Sequence, residues 1–211
     1  MIQALYMHKY VFALCSSTDL ERLSAFHQAC QETGRLFIVD RYQKRLLDVF
    51  TKYAGSKSNY FRFNAFELIN YRTKKVKNKL QSMGFLIPVR ASSFGLIKGM
   101  LDVYRDEQPW LIYSMWNGYA EPSSESAIEG IIRIRGLFPG RIYDGVADGF
   151  HTSGHADIQT LGEVCQTVKP RIGVIPIHKE VEHKYEELRL SNYRLFGNGK
   201  TETDHIYISI Q

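Results

Sequence analysis

From Tyr10 to Cys15 the chain reads Tyr-Val-Phe-Ala-Leu-Cys, an unbroken apolar run of strand length. Continuous runs of β-branched and aromatic residues suit a strand covered on both faces. Apolar residues then recur at helical spacing, at Leu20, Leu23, Phe26, Ala29 and Cys30. Thr18, with Glu21 three positions on, forms a capping box that predicts where this helix starts. Gly34 ends it, Leu36-Phe37-Ile38-Val39 predicts a second strand, and a second helix runs from about Tyr42 to Tyr53. Strand, helix, strand, helix is the rhythm of βαβ units in a parallel sheet.

The pattern continues less cleanly. Phe61 to Tyr71 holds one or two strands, and the basic stretch Arg72 to Lys79 leads into a helix ending at Gly84. Phe85-Leu86-Ile87-Pro88-Val89 predicts a strand whose proline argues for an edge or a terminus, because proline has no N–H to give a ladder. Ser92-Ser93 caps a helix through about Arg105, and Trp110 to Met115 is a buried strand. Ser123 to Ser126 opens a helix to Arg135, closed by Gly136 and Pro139-Gly140. From Arg141 come a short strand, an amphipathic helix to about Val168 and a strand from Ile172 to Ile177. A last helix and a closing strand from Ile206 to Ile210 complete the chain, with Gly197-Asn198-Gly199-Lys200 as the turn before that strand. The reading is α/β throughout, with a first domain over 1–150 and returning elements over 151–211.

Composition narrows the class. With 211 residues, 44% of them hydrophobic and 23% charged, the chain is long enough to bury a core. Cys15, Cys30 and Cys165 are far apart, odd in number and without a CxxC pair, which argues against a disulfide framework or a cysteine zinc site and for a reducing cytoplasm. No apolar run of about 18 residues is present to span a bilayer, so no membrane partner is expected. The net charge of +5 favours a polyanionic partner.

Chemistry concentrates at His151-Thr152-Ser153-Gly154-His155-Ala156-Asp157, where a strand hands over to a helix. Backbone N–H groups at a helix start attract anions, Gly154 allows close approach, and Thr152 or Ser153 can donate a hydrogen bond. A neighbouring imidazole can donate to a phosphate oxygen or protonate a leaving oxygen. The plain alternative makes Ser153 a helix cap and His151 and His155 surface residues; two imidazoles flanking Ser-Gly favour the site. His178 closes the run Ile172 to Ile177, and strand carboxyl ends are where open α/β sheets collect ligands. One imidazole cannot hold a zinc ion, which needs further protein ligands. Trp116-Asn117-Gly118-Tyr119 and Asp40 also follow strand ends, Asp40 with the alternative role of capping the next helix.

Taken in order, His151-Thr-Ser-Gly-His155-Ala, the helix ending Val168-Lys169-Pro170, and Val174-Ile-Pro-Ile-His178-Lys-Glu180 resemble the late motifs of β-CASP enzymes of the metallo-β-lactamase superfamily, of the RNase J kind. Val11 to Leu23 is similar to the first strand, loop and helix of the β-CASP domain itself. The resemblance implies a Rossmann-like, doubly wound, mostly parallel β-CASP sheet, followed by an RNA-specificity segment and the C-terminal part of a metallo-β-lactamase αββα fold. It implies hydrolysis of RNA phosphodiester bonds, DNA included as a further substrate class, with two zinc ions. His155 would face the scissile phosphate, His178 would ligate a metal, and His151 and Ser153 would bind the phosphate backbone. Ser16, Ser17 and Arg22 would line the substrate cleft.

The family's HxHxDH metal signature does not occur in these residues. The resemblance therefore implies a fragment, inactive alone and holding no stable zinc, whose partner is a missing N-terminal metallo-β-lactamase segment. Apolar surface left uncovered by that segment is consistent with self-association into a homo-oligomer. Exonucleolytic and endonucleolytic cleavage both stay open. Two other classes remain: a non-catalytic nucleic-acid-binding module, and a Rossmann-like enzyme binding a nucleotide at the Ser16 to Asp19 loop. Against the latter, no GxGxxG or GxxxxGK[ST] loop follows the first strand.

Overall fold

The structure, a computed structural model, describes residues 1–151, 158–175, 195–196 and 205–206. The chain divides into two compact units, Met1–Thr152 and Ser153–Gln211. In the first, six parallel strands form one sheet: β1 (Tyr10–Leu14), β2 (Leu36–Val39), β3 (Phe66–Glu67), β4 (Phe85–Val89), β5 (Trp110–Tyr113) and β6 (Ile142–Tyr143). Their order across the sheet is β3-β2-β4-β1-β5-β6. The helices of this unit are α1 (Ile2–Met7), α2 (Leu20–Thr33), α3 (Arg41–Ala54), α4 (Lys74–Met83), α5 (Phe94–Tyr104) and α6 (Glu129–Gly136).

Strand order and the fixed hand of parallel crossovers together divide the helices between two faces. The steps from β1 to β2 and from β2 to β3 move one way across the sheet, and the later steps move the other way, so their helices lie on opposite sides. The two buried clusters follow that division. Tyr10, Phe12 and Leu14 of β1 pack with Phe85, Ile87, Leu111 and Tyr113 against Leu80 of α4, Ile97, Met100 and Tyr104 of α5, and Ile131 and Ile134 of α6. Val11, Ala13 and Cys15 face the other way, with Phe37, Val39, Leu86 and Ile112, onto Leu5 of α1, Leu23, Phe26 and Cys30 of α2, and Leu47 of α3. Successive strand residues thus feed two cores, which is why the strands read as continuous apolar runs.

Several local expectations change. The helix cap lies at Asp19 rather than Thr18: Asp19 accepts the Arg22 N–H at 3.1 Å, while Thr18 Oγ1 stands 3.1 Å from Ser16 Oγ. The proline-bearing strand β4 is central, not an edge. Phe85 N–H donates toward the β1 side, so alternate residues 86 and 88 turn their nitrogens toward β2. The register between β2 and β4 covers only Phe85 and Leu86, so the N–H that Pro88 lacks is not missed by any ladder. Helix α6 begins at Glu129, after a turn-rich stretch, rather than at the serine cluster. Helix α1 has no counterpart among the elements that the hydrophobic pattern predicts. Basic residues 74–79 lie within α4 itself, and Phe61 to Tyr71 yields only the two-residue β3.

In the second unit, α7 (Ile158–Val168) is described, together with β7 (Leu195–Phe196) paired antiparallel to β8 (His205–Ile206). Residues 172–175 hold a single bridge at Val174 rather than a strand; 176 and 177 lie outside the described residues, as do the last helix, the 197–200 turn and most of the closing strand. Among the described residues no helix is long and apolar enough to cross a membrane.

Candidate anion-binding site at the strand ends

Strands β1 and β5 are neighbours, and their chains leave in opposite directions: β1 leads to α2 on one face, β5 to α6 on the other. Such a switch point opens a crevice at the carboxyl ends of the strands. Ser114 N–H donates to Leu14 carbonyl at 2.9 Å, which holds the two exits side by side. Ser16, Ser17 and Asp19 follow β1, and Ser114 follows β5, so the loops that carry them leave the same end of the sheet.

Arg22, in the first turn of α2, spans this crevice. Its Nε pairs with Asp19 Oδ2 at 2.8 Å. One terminal nitrogen, Nη1, donates to Ser114 carbonyl at 2.8 Å and to Ser114 Oγ at 2.7 Å, and it also reaches Phe150 carbonyl at 3.2 Å and His151 Nδ1 at 3.1 Å. Ser114 Oγ in turn donates to Phe150 carbonyl. Only 14% of the Arg22 side chain is exposed, so its charge sits in a partly dry setting where it acts strongly. His151, half-buried, has its own N–H bound by Gly145 carbonyl at 2.7 Å. Burial, followed by the Arg22 charge, lowers its pKa from the ordinary value, and Asp19 opposes that shift.

Neighbouring strand ends extend the polar rim. Asp40 does cap a helix, accepting the Gln43 N–H at 2.8 Å, and it also pairs with Arg90 after β4 at 2.7 Å. The Gln43 amide donates to Ser17 carbonyl at 3.0 Å and ties the β2 exit to the β1 loop. Arg90 lies over the ring of Tyr42, which is half-exposed. On the β5 side Trp116 is 50% exposed and meets Tyr119 edge-on, whereas Tyr113 is buried and Trp110 stacks on His8 with ring centres 4.1 Å apart. Trp116 is therefore the tryptophan available to a ligand. Asp144 and Asp148 mark the β6 side, Asp144 accepting N–H bonds from Val146 and Ala147.

Of the residues singled out from sequence, Arg22 and His151 thus come into contact at the strand ends, and Ser16 and Ser17 lie in the loop between β1 and the helix that carries Arg22. Thr152, Ser153, Gly154, His155 and His178 lie outside the described residues. Sequence reasoning missed Ser114 and Asp19, which grip Arg22; Ser114 directly follows a buried strand and Asp19 stands three residues before Arg22, the only signals they carry. Among the described residues no group of three or more His, Cys, Asp or Glu side chains is placed to hold a metal ion.

Fold and site define an α/β protein with a doubly wound parallel sheet and a hydrogen-bonded polar cluster at its switch point. Comparison with models of known protein families gives no match, and comparison with curated proteins gives none.

Proposed function

We propose that this chain is the substrate-binding part of a metal-dependent nuclease of the β-CASP kind, acting on RNA phosphodiester bonds with DNA as a further substrate class. One observation carries the reading: Arg22 and His151, 129 positions apart, meet beside Ser114 at the strand exits, with Ser16 and Ser17 in the loop before Arg22 and Thr152-Ser153-Gly154-His155 next in sequence after His151. Arg22 Nη1 and Nε are engaged by protein groups, and among the described residues no hydrogen bond is made by its second terminal nitrogen, which can meet a phosphate oxygen. Ser16 and Ser17 add hydroxyls, and the sequence motif assigns Ser153 and Gly154 to phosphate binding as well. In this reading His155 faces the scissile phosphate and stabilises its developing charge. His178 is a metal ligand, and since the HxHxDH signature is absent from these residues, the other ligands belong to another segment. The zinc ions of such a site would supply an activated water for in-line attack.

Charge supports a polyanionic substrate. Between Arg35 and Lys79 stand twelve Lys and Arg against three Asp and Glu, while the whole chain carries only +5, so the positive charge is concentrated around α3, β3 and α4. Two measurements test the proposal. Anisotropy titration of a labelled single-stranded RNA against the 211-residue chain should give binding that weakens with salt, with a log–log slope near −3 for about four phosphate contacts. No binding at about 50 mM salt refutes the reading. In the protein that carries this chain with the remaining ligands, His155→Ala should cut turnover by about 100-fold or more while zinc content is kept. Unchanged turnover refutes the assignment of His155. Binding without any metal-dependent cleavage in that protein would favour the second reading, a non-catalytic nucleic-acid-binding module, which the concentrated charge equally serves.

A further inference from the structure

We infer that Asp19 and Arg22 form a positioning pair that holds His151 as the neutral tautomer with its proton on Nε2, so that the crevice presents a fixed N–H donor rather than an acid–base group. A guanidinium can only donate hydrogen bonds. With Arg22 Nη1 at 3.1 Å, His151 Nδ1 must therefore offer its lone pair, and the single proton of the neutral ring lies on Nε2. A second proton on Nδ1 would point at a fixed positive charge.

Arg22 is not free to turn away. The Asp19 carboxylate grips it twice, taking its backbone N–H at 3.1 Å and its Nε at 2.8 Å. Ser114, after β5, and Phe150, after β6, hold Nη1. The backbone that carries the ring is held as well, since the His151 backbone N–H is bound by Gly145 carbonyl at 2.7 Å. The loop packed against it from the β6 side carries Asp144 and Asp148, and both carboxylates are turned to backbone N–H groups, of Val146 and Ala147 and of Asp144 itself. Among the described residues Arg22 and Asp19 are then the charges that act on the ring, and burial with Arg22 outweighs Asp19. For a phosphate in the crevice, a use that rests on the proposed function, His151 is a neutral donor to a non-bridging oxygen, and its contribution does not fade as pH rises through neutrality.

The test is nitrogen-15 NMR of the imidazoles in the full 211-residue chain, with His8 and His27 as internal controls of folding. Wild-type His151 should show one tautomer, Nε2 protonated and Nδ1 bare. In Arg22→Gln it should become a tautomer mixture, with its pKa rising toward about 6.5 while His8 and His27 stay put. Asp19→Asn should loosen the tautomer in the same direction. A wild-type ring protonated on Nδ1, or a titration unchanged in Arg22→Gln, overturns the inference; if that variant does not fold, the wild-type spectrum and Asp19→Asn decide. RNA binding is scored separately. The expected tautomer without RNA binding sinks the proposed function alone, and binding with the wrong tautomer sinks this inference alone.

Discussion

Gly34 and Gly84 both have positive φ, at 66° and 70°, and both follow helices, yet alanine should be tolerated at one and not at the other. At Gly34 ψ is 15°, the left-handed helical region, and nothing stands within 4 Å of where a Cβ would go. The cost there is conformational only, about 1 kcal/mol. At Gly84 ψ is 174°, a region open essentially to glycine, which costs an L side chain about 1–3 kcal/mol. A Cβ would also stand 2.5 Å from Lys9 carbonyl oxygen, which cannot withdraw because it accepts the Phe85 N–H at 2.9 Å and so carries the β1 to β4 ladder. Overpacking against backbone adds about 1–3 kcal/mol. The sum is about 4 kcal/mol for Gly84→Ala, against a total domain stability of about 5–15 kcal/mol. Urea unfolding followed by far-ultraviolet circular dichroism reads both variants, and an m-value of about 2 kcal/mol/M turns these costs into midpoint losses of about 0.5 M and about 2 M. Equal losses, or a larger one at Gly34, would refute the reasoning that backbone contact rather than φ alone decides the outcome.

Stability should fall with mild acid. Burial lowers the pKa values of His8, His27 and His151, so between those values and about 6.5 the unfolded chain binds protons that the folded chain does not. The urea midpoint should therefore drop from about pH 7.5 to about pH 5.5, less steeply in His27→Gln; a midpoint that rises with acid contradicts the assignment. Burial pushes the Cys15 and Cys30 thiols up to about 12, so neither should react with a thiol reagent at neutral pH until the chain is unfolded. Two or more reactive thiols in the native chain would show that the core around β1 and α2 is open.

Much of the fold is legible in the local patterns of the chain. The runs at residues 10–15, 36–39, 85–89 and 110–115 each coincide with a strand to within two residues, and Gly34 and Gly84 end the helices before β2 and β4. Asp40 and Asp19 show where legibility stops. Each carries a helix cap, but Asp19 holds Arg22 within the first turn of its own helix, whereas Arg90, the arginine that Asp40 holds, follows the neighbouring strand β4 and is fifty positions away. Pro88 misled because the rule that keeps proline off central strands assumes a full ladder on both sides. In this sheet the β2 ladder ends two residues earlier, which no local pattern can reveal.

At the candidate site, the family resemblance singles out Ser16, Ser17 and Arg22, and the motif at residues 151–157 singles out His151, so each was recognisable alone. Their meeting was not. Residue type and spacing are set by short-range chemistry: alternation for strands, a 3.6 period for helices, caps and glycines at their ends. These determined the α/β class and the parallel sheet from the chain alone. The order β3-β2-β4-β1-β5-β6 is set by long-range packing of two helix layers onto one sheet, and it alone made β1 and β5 neighbours. That adjacency puts Ser114 beside Leu14 and carries Arg22 to His151, because loop ends become a site only when the strands that bear them lie side by side.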